Sequence, residues 1–344
     1  MTRVLAVTNA YPTPRAPGIG PYIERQVSGL RQIGLEVEVL FVERQQKGMS
    51  AYMGLGSQLR VLVRKYKPDL VHSMYGGVMA NVVTRTVRDR PVVVSFCGSD
   101  LLGEVLSGYL ELGKPLVGCY RTLVSMYGVR SSYRAARKAS GIVVKSKNLQ
   151  DALPPDVDRN KVRIVPNGID LERFQPIEKK EARRTLGWPE DSDVVLFVTA
   201  GGDPRKRLGL AREAVAKATT NGDVVEFRTM QGVPHEQVPV WLSASDVLLL
   251  TSFHEGGVNI VKEAMACNLP VVSVDVGDVR ARLCGVRQCA VVDATPDALG
   301  QALRSVLLCR ERSNGREYLQ DLTLVAVAER IKQVYARALE NGRL

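Results

Sequence analysis

The chain has 344 residues, 45% of them hydrophobic and 24% charged, and its formal net charge is +11. That length allows two domains, each with its own core, and the composition excludes a disordered or fibrous chain. The basic balance suits an anionic partner, but aromatic residues make up only 6% and no nucleic-acid-binding module is recognisable. We therefore expect a phosphorylated substrate or an anionic membrane surface, and no nucleic acid.

No apolar run approaches the ~18 residues of a membrane span. The N-terminus reads as a strand from residue 3 rather than as a signal peptide, so a cytoplasmic protein is expected. The six cysteines (Cys97, Cys119, Cys267, Cys284, Cys289, Cys309) form no C-x-x-C pair, and with three histidines they give no zinc spacing. We read them as reduced thiols and expect no metal site.

In chain order, residues 4–8 are a short apolar run that predicts a first, central strand. A Pro- and Gly-rich loop follows over residues 9–21, longer than a minimal strand-to-helix turn, and carries Gly18 and Gly20. Helical spacing at Ile23, Val27, Leu30 and Ile33 predicts a helix over residues 22–33. Strands are expected at 36–42, 69–72 and 92–96, and helices at 51–66 and from Gly76 and Gly77 to about residue 87. Over residues 101–138 arginines interleave with Leu116, Val117, Tyr120, Leu123, Val124, Met126 and Tyr127. Two readings stay open there: a core helix pair with a solvated basic face, or a basic amphipathic surface that touches anionic lipid. Strands at 141–145 and 162–165 close the first series.

The turn Pro166-Asn167-Gly168-Ile169-Asp170 and the charged stretch after it read as an interdomain linker. A second series begins with a strand at 193–199, then Gly201-Gly202-Asp203-Pro204-Arg205-Lys206 and a helix to about residue 218. A strand at 224–229, a helix at 236–243 and a strand at 246–251 follow. After residue 257 come a helix (258–267), a strand (271–275), apolar Val291-Val292, and helices at 296–309 and 322–339. Alternating strands and helices imply parallel sheets covered on both faces.

The chain is organised around residues 252–278, SFHEGGVNIVKEAMACNLPVVSVDVGD. An apolar strand ends in a double-glycine turn that feeds a helix. Open α/β sheets bind ligands at such strand ends, and the free N–H groups of a helix N-terminus suit a phosphate. Glu255 and Glu263 bracket the turn. A carboxylate accepts from vicinal sugar hydroxyls, so the pair can frame a ligand with a phosphate in the middle and hydroxyls at both ends, as in a nucleotide-sugar. Lys206, at another strand end beside glycines, can neutralise a diphosphate; read alone it is equally a surface lysine at a helix start.

The spacing from Glu255 to Glu263 matches the E-x7-E motif of retaining GT-B-fold glycosyltransferases of family 4 (group 1), and the surrounding stretch resembles that family over its whole length. The resemblance implies an α/β GT-B fold, two Rossmann-like domains with parallel sheets facing across a cleft. We expect an acceptor-binding domain over 1–165, a linker over 166–190, a nucleotide-sugar-binding domain over 191–321, and a C-terminal helix over 322–344 returning to the first domain. It also implies that Glu255 contacts the donor sugar, that Glu263 contacts the ribose, and that the backbone of Gly256, Gly257, Val258 and Asn259 holds the diphosphate. Gly18 and Gly20 resemble the family's glycine loop at the donor phosphates, although the usual adjacent pair is absent. Asp203-Pro204-Arg205-Lys206 resembles the segment with the phosphate lysine. The family's preceding arginine is missing, and Arg205 or Arg207 is its candidate substitute. Asp69-Leu70-Val71-His72 resembles a family strand end that would turn His72 to the acceptor, although a lone histidine there is as readily a hydrogen-bonded structural residue. Cys97 stands where the family has a histidine that reaches the transferring sugar.

The function implied is a metal-independent, retaining hexosyltransferase-type enzyme. It would use a UDP- or GDP-type nucleotide-sugar and a sugar or lipid-linked acceptor in surface polysaccharide or glycolipid assembly. It would need no cofactor and could touch the inner face of the membrane peripherally. Retention in this family is described as front-face attack, with the departing phosphate oxygen taking the acceptor's proton. The alternatives are a non-catalytic sugar-nucleotide-binding or scaffold subunit, and a twin-Rossmann epimerase or phosphorylase. Against the phosphorylase, no lysine stands in a pyridoxal-phosphate context.

Overall fold

The structure, a computed structural model, describes residues 1–13, 19–103, 115–199, 203–219 and 225–341. The chain forms two compact units.

The first unit is built on β1 (Arg3–Thr8), β2 (Glu36–Phe41), β3 (Leu70–Ser73), β4 (Val92–Phe96), β5 (Gly141–Val144) and β6 (Val162–Ile164). All pairings are parallel, in the order β2-β1-β3-β4-β5-β6. The inner strands are short apolar runs because parallel strands are buried on both faces; Val4, Leu5, Ala6 and Val7 are all inaccessible. The connections run through α1 (Pro21–Gln32), α2 (Leu55–Tyr66), α3 (Gly77–Thr86) and α4 (Pro115–Lys138). Gly20 caps α1 in the left-handed region (φ 67°), with Pro21 at the first helical position. A Cβ at Gly20 would also collide with the Ala10 carbonyl oxygen, so this position takes glycine for both reasons.

One helical stretch differs from the sequence reading. The helix expected over 51–66 is a 3₁₀ turn (Gly48–Tyr52) and α2, parted at Gly54, whose φ of 80° interrupts it. Of the weakly patterned stretch, residues 115–138 form α4, a helix of 24 residues, and residues 104–114 lie outside the described residues.

The second unit spans residues 169–323. Helix α5 (Lys179–Leu186) precedes β7 (Asp193–Val198) and lies within the stretch read as linker. It is anchored by buried Arg183, which donates to Asp246 at 2.7 Å. Then follow α6 (Leu208–Ala218), β8 (Val225–Met230), α7 (Val238–Ala244), β9 (Val247–Leu250), α8 (Asn259–Ala266), β10 (Val271–Val274), β11 (Ala290–Val292) and α9 (Pro296–Cys309). The sheet is again all parallel, in the order β11-β10-β9-β7-β8. Ile169 pairs with Thr323 in an isolated parallel bridge, so the unit's first and last residues lie side by side. The chain continues into α10 (Leu324–Asn341), which belongs to the first unit and packs on α1 and β5.

Each sheet reverses its direction of growth once, between β1 and β3 in the first unit and between β7 and β9 in the second. The carboxyl ends of those strand pairs are where doubly wound sheets hold ligands.

Candidate functional site

In the second unit the reversal point gathers the predicted residues. The turn after β7 carries Asp203, Arg205 and Lys206; the turn after β9 carries Glu255. The two turns are stapled together: the Phe253 N–H donates to the Arg205 carbonyl at 2.9 Å, and Thr251 Oγ1 donates to the Lys206 carbonyl at 2.6 Å. Lys206 Nζ then reaches Glu255 Oε1 at 2.5 Å, with 18% and 23% of the two side chains exposed. Residues separated by 49 positions thus form one partly buried ion pair at the strand ends.

Helix α8 begins directly after this turn, and no side chain at its N-cap position, Val258, closes it. The Val258 N–H donates to Asp278 Oδ1 at 2.9 Å, so this one backbone group, expected at a diphosphate, is already taken. The first turn of the helix begins at Asn259, and the first-turn amides of any α-helix lie outside its own carbonyl ladder. Asp278 is held in turn by Arg282 at 3.5 Å and faces buried Lys262 at 4.0 Å. Gly277 (φ 61°) lies against Gly256, and a Cβ there would collide with the Gly256 carbonyl oxygen. The turn at Gly256 and Gly257 is therefore shaped from behind by Gly277 and Asp278.

Glu263, one turn into α8, is buried. Its Oε1 lies 3.5 Å from His235 Nε2. The His235 ring packs edge-on against Phe174 and shares a 3.0 Å hydrogen bond with Arg173 through Nδ1. His235, Asp278 and Lys262 had no assigned role in the sequence reading.

Arg205, the candidate substitute for the absent arginine, is paired with Asp203 in the same loop. Asp203 grips its guanidinium through both carboxylate oxygens, at 3.0 Å to Nε and 2.7 Å to Nη2. Burial opposes the charge on Asp203, but the Arg205 hydrogen bonds outweigh it and hold that carboxyl below the usual range. The short loop favours this pairing because Asp203 also caps the Arg205 N–H at 3.0 Å. Arg207 instead lies over the Phe253 ring, 4.5 Å from its centroid. Lys206 is the cation the turn presents to Glu255.

In the first unit the structure decides between the two readings of His72. The ring is fully buried, Nδ1 lies 2.7 Å from the Tyr335 hydroxyl and Nε2 lies 2.8 Å from Ser95 Oγ. Burial, with nearby Lys145, lowers its pKa to about 3. His72 is a neutral structural residue that ties α10 to the sheet, and the acceptor role is withdrawn. The Cys97 thiol donates to the Met74 carbonyl at 3.7 Å, and burial and the Asp100 carboxylate push its pKa up to about 12. It is a neutral thiol and supplies no charge. Both oxygens of Asp100 are occupied by the N–H groups of Cys97, Gly98 and Gly76. Gly20 is described above, and Gly18 lies outside the described residues.

A cavity of about 330 Å³ opens at the carboxyl ends of β1, β3 and β4, lined by Asn9, Arg44, Tyr52, Tyr75, Ser99, Tyr120 and Arg121 among others. Asn9 Nδ2 donates to the Tyr52 hydroxyl at 3.0 Å, and Arg44 lies over the Tyr52 ring. The lining is polar, aromatic and cationic, and its one carboxylate, Asp100, is spent on backbone N–H groups. Among the described residues, no three His, Cys, Asp or Glu side chains group as a metal site.

Residues 16–173 match the profile described as Glycosyltransferase Family 4, and residues 181–308 match that of Glycosyl transferases group 1. The chain belongs to the group 1, family 4 glycosyltransferases. Among its relatives is TuaC of Bacillus subtilis, named for a glycosyltransferase role in teichuronic acid biosynthesis, 26% identical over 363 aligned positions that cover 88% of each chain. Sucrose-phosphate synthase from Thermosynechococcus elongatus superposes with a TM-score of 0.74 at 18% identity, covering 99% of this chain and 100% of that one. HepE from Anabaena, solved in complex with UDP, superposes at 0.69 with 15% identity, covering 98% and 100%. At these identities the structural likeness speaks for the fold alone, and that fold is GT-B, two Rossmann-like α/β units.

Proposed function

We propose that this glycosyltransferase binds a nucleotide-sugar of UDP or GDP type at the β7/β9 reversal point and transfers its sugar with retention, without a metal ion. The observation that carries this is the Lys206–Glu255 pair in front of the uncapped start of α8. An ammonium ion beside a helix N-terminus suits a diphosphate, and a carboxylate beside them suits the sugar hydroxyls. Glu263, one turn deeper, takes the ribose hydroxyls. No cofactor is needed. In the reaction the bond from C1 to the phosphate oxygen breaks and a bond from C1 to the acceptor oxygen forms on the same face. The departing phosphate oxygen takes the acceptor's proton, and Lys206 stabilises the charge left on the diphosphate.

The acceptor is a sugar or a lipid-linked sugar, and the product belongs to surface polysaccharide or glycolipid assembly. The relative named for teichuronic acid synthesis supports that setting. A non-catalytic sugar-nucleotide-binding subunit is the second reading, favoured by the commitment of Arg205 to Asp203. One assay separates the two. The protein is incubated with UDP-, GDP- and ADP-sugars and the released nucleoside diphosphate is measured. Release that Glu255→Ala abolishes supports transfer chemistry; binding of donor with no release supports the second reading.

A further inference from the structure

Glu263 is a nearly buried carboxylate, its side chain 9% exposed. A carboxylate so far out of water needs hydrogen-bond donors. His235, on the turn between β8 and α7, faces it: Nε2 stands 3.5 Å from Glu263 Oε1. Which ring nitrogen carries the hydrogen decides whether that contact attracts.

The other side of the ring assigns the tautomer. Arg173 Nη1 lies 3.0 Å from His235 Nδ1. A guanidinium only donates, so Nδ1 is the acceptor and carries no hydrogen. The ring hydrogen then sits on Nε2, the nitrogen that faces Glu263. The ring plane is held as well, edge-on against buried Phe174 with the centroids 5.4 Å apart. Arg173 and Phe174 belong to one short turn. Asp170 Oδ1 accepts from the Arg173 N–H at 3.0 Å, and the Asp170 carbonyl accepts from the Phe174 N–H at 2.9 Å. Arg316 ties this turn to α8, the helix that bears Glu263. It donates to the carbonyls of Leu171 at 2.8 Å, Phe174 at 2.5 Å and Ala266 at 3.0 Å. The guanidinium, the imidazole and the carboxylate therefore share one frame.

We propose that Arg173 and His235 are positioning residues that orient the Glu263 carboxylate toward the ribose of the donor. Arg173 sets the tautomer, and the Nε2–H of His235 holds one carboxylate oxygen before the nucleotide arrives. This rests on the nucleotide-sugar reading of the site. Calorimetry of the full chain with UDP, GDP and ADP, and with the 2′,3′-dideoxy form of whichever binds, tests it. His235→Phe keeps a ring against Phe174 and removes both nitrogens. It should weaken nucleotide binding on the order of tenfold. The dideoxynucleotide lacks the hydroxyls that Glu263 would meet, so its affinity should change by no more than about twofold. His235→Gln keeps an acceptor for Arg173 and a donor for Glu263, and should stay within about threefold of wild type. With a nucleotide-sugar donor, His235→Phe should raise KM and leave kcat within about twofold. Arg173 is exposed, so Arg173→Met keeps the test open should His235→Phe fail to fold. It should weaken the ordinary nucleotide about threefold and leave the dideoxynucleotide unchanged. Nitrogen-15 NMR of the ring at about pH 8, assigned by the signals lost in His235→Gln, should find the hydrogen on Nε2. A hydrogen on Nδ1 overturns the inference. Equal losses of ordinary and dideoxy nucleotide in His235→Phe also overturn it and make His235 a structural residue of its turn. Wild-type protein that binds none of the three nucleotides overturns the proposed function itself, and the ribose role falls with it.

Discussion

Lys206 and Glu255, on turns that follow different strands, meet at 2.5 Å because those strands, β7 and β9, are neighbours at the point where the second sheet reverses. The pair is partly buried, so removing either member leaves a poorly solvated charge. Lys206→Ala should lower transfer by about a hundredfold or more, since the diphosphate's developing charge loses its cation. It should also weaken free-nucleotide binding. Glu255→Ala should spare free-nucleotide affinity and remove transfer. Titration calorimetry beside a turnover assay checks both; equal losses of nucleotide affinity in the two variants would contradict the division of roles.

Glu263→Ala should weaken nucleotide binding about ten- to a hundredfold, the loss of hydrogen bonds to a charged group of about 1.5–3 kcal/mol. The ribose assignment adds a sharper expectation. A 2′-deoxynucleotide should already lack part of that interaction, so variant and deoxy ligand together should cost less than the sum of their separate losses. Additive losses would move Glu263 away from the ribose and leave it as the partner of His235.

The turn at Gly256 has its own test. Gly277→Ala adds a side chain against the Gly256 carbonyl at a positive-φ position, so the turn must shift. Nucleotide affinity should fall while the first unit is untouched. Unchanged affinity, with a fold shown intact by thermal unfolding, would mean that the Gly256 turn does not hold phosphate.

His72 predicts a pH dependence of stability. Its folded pKa of about 3 lies below the ordinary value of 6.5, so the unfolded chain takes up a proton that the folded one refuses. The neutral buried ring contributes fully above pH 6.5, and its contribution is lost as pH falls from there toward 3. Between pH 7 and 5 this one group should cost about 2 kcal/mol. In His72→Asn, chemical denaturation should show a correspondingly flatter stability profile over that range, whatever the variant's absolute stability. A wild-type slope retained in the variant would contradict the assignment.

Cys97 should be chemically quiet. With its thiol held near pKa 12, iodoacetamide at neutral pH should label exposed Cys119, Cys284 and Cys309 well before Cys97, as peptide mapping would show. Cys97→Ser should keep most transfer activity. Rapid alkylation of Cys97 would show an activated thiol instead.

The sheets and the glycine turn were legible in the sequence because buried parallel strands are short apolar runs and because Glu255, Gly256, Gly257 and Glu263 lie within nine residues of one another. Lys206 was legible from its strand-end setting, but its pairing with Glu255 depends on β7 lying beside β9, which no local pattern encodes. His235 reaches Glu263 across 28 positions for the same reason. Asp278 and Lys262 were in plain view inside the organising stretch, but capping of Val258 from the next turn leaves no spacing signal. The pairing of Arg205 with Asp203, two residues earlier, was not anticipated, because the family likeness pointed to a phosphate ligand rather than to a neighbouring carboxylate. On α4 the periodicity was visible and its direction was not, since the same stripe of leucine and tyrosine serves a core or an exposed face.

The central claim is that the β7/β9 reversal point holds a nucleoside diphosphate. Isothermal titration of the full chain with UDP, GDP and ADP tests it most directly. The account predicts saturable one-site binding of at least one of them, weakened about ten- to a hundredfold by Glu263→Ala. Wild-type protein that binds none of the three would contradict it.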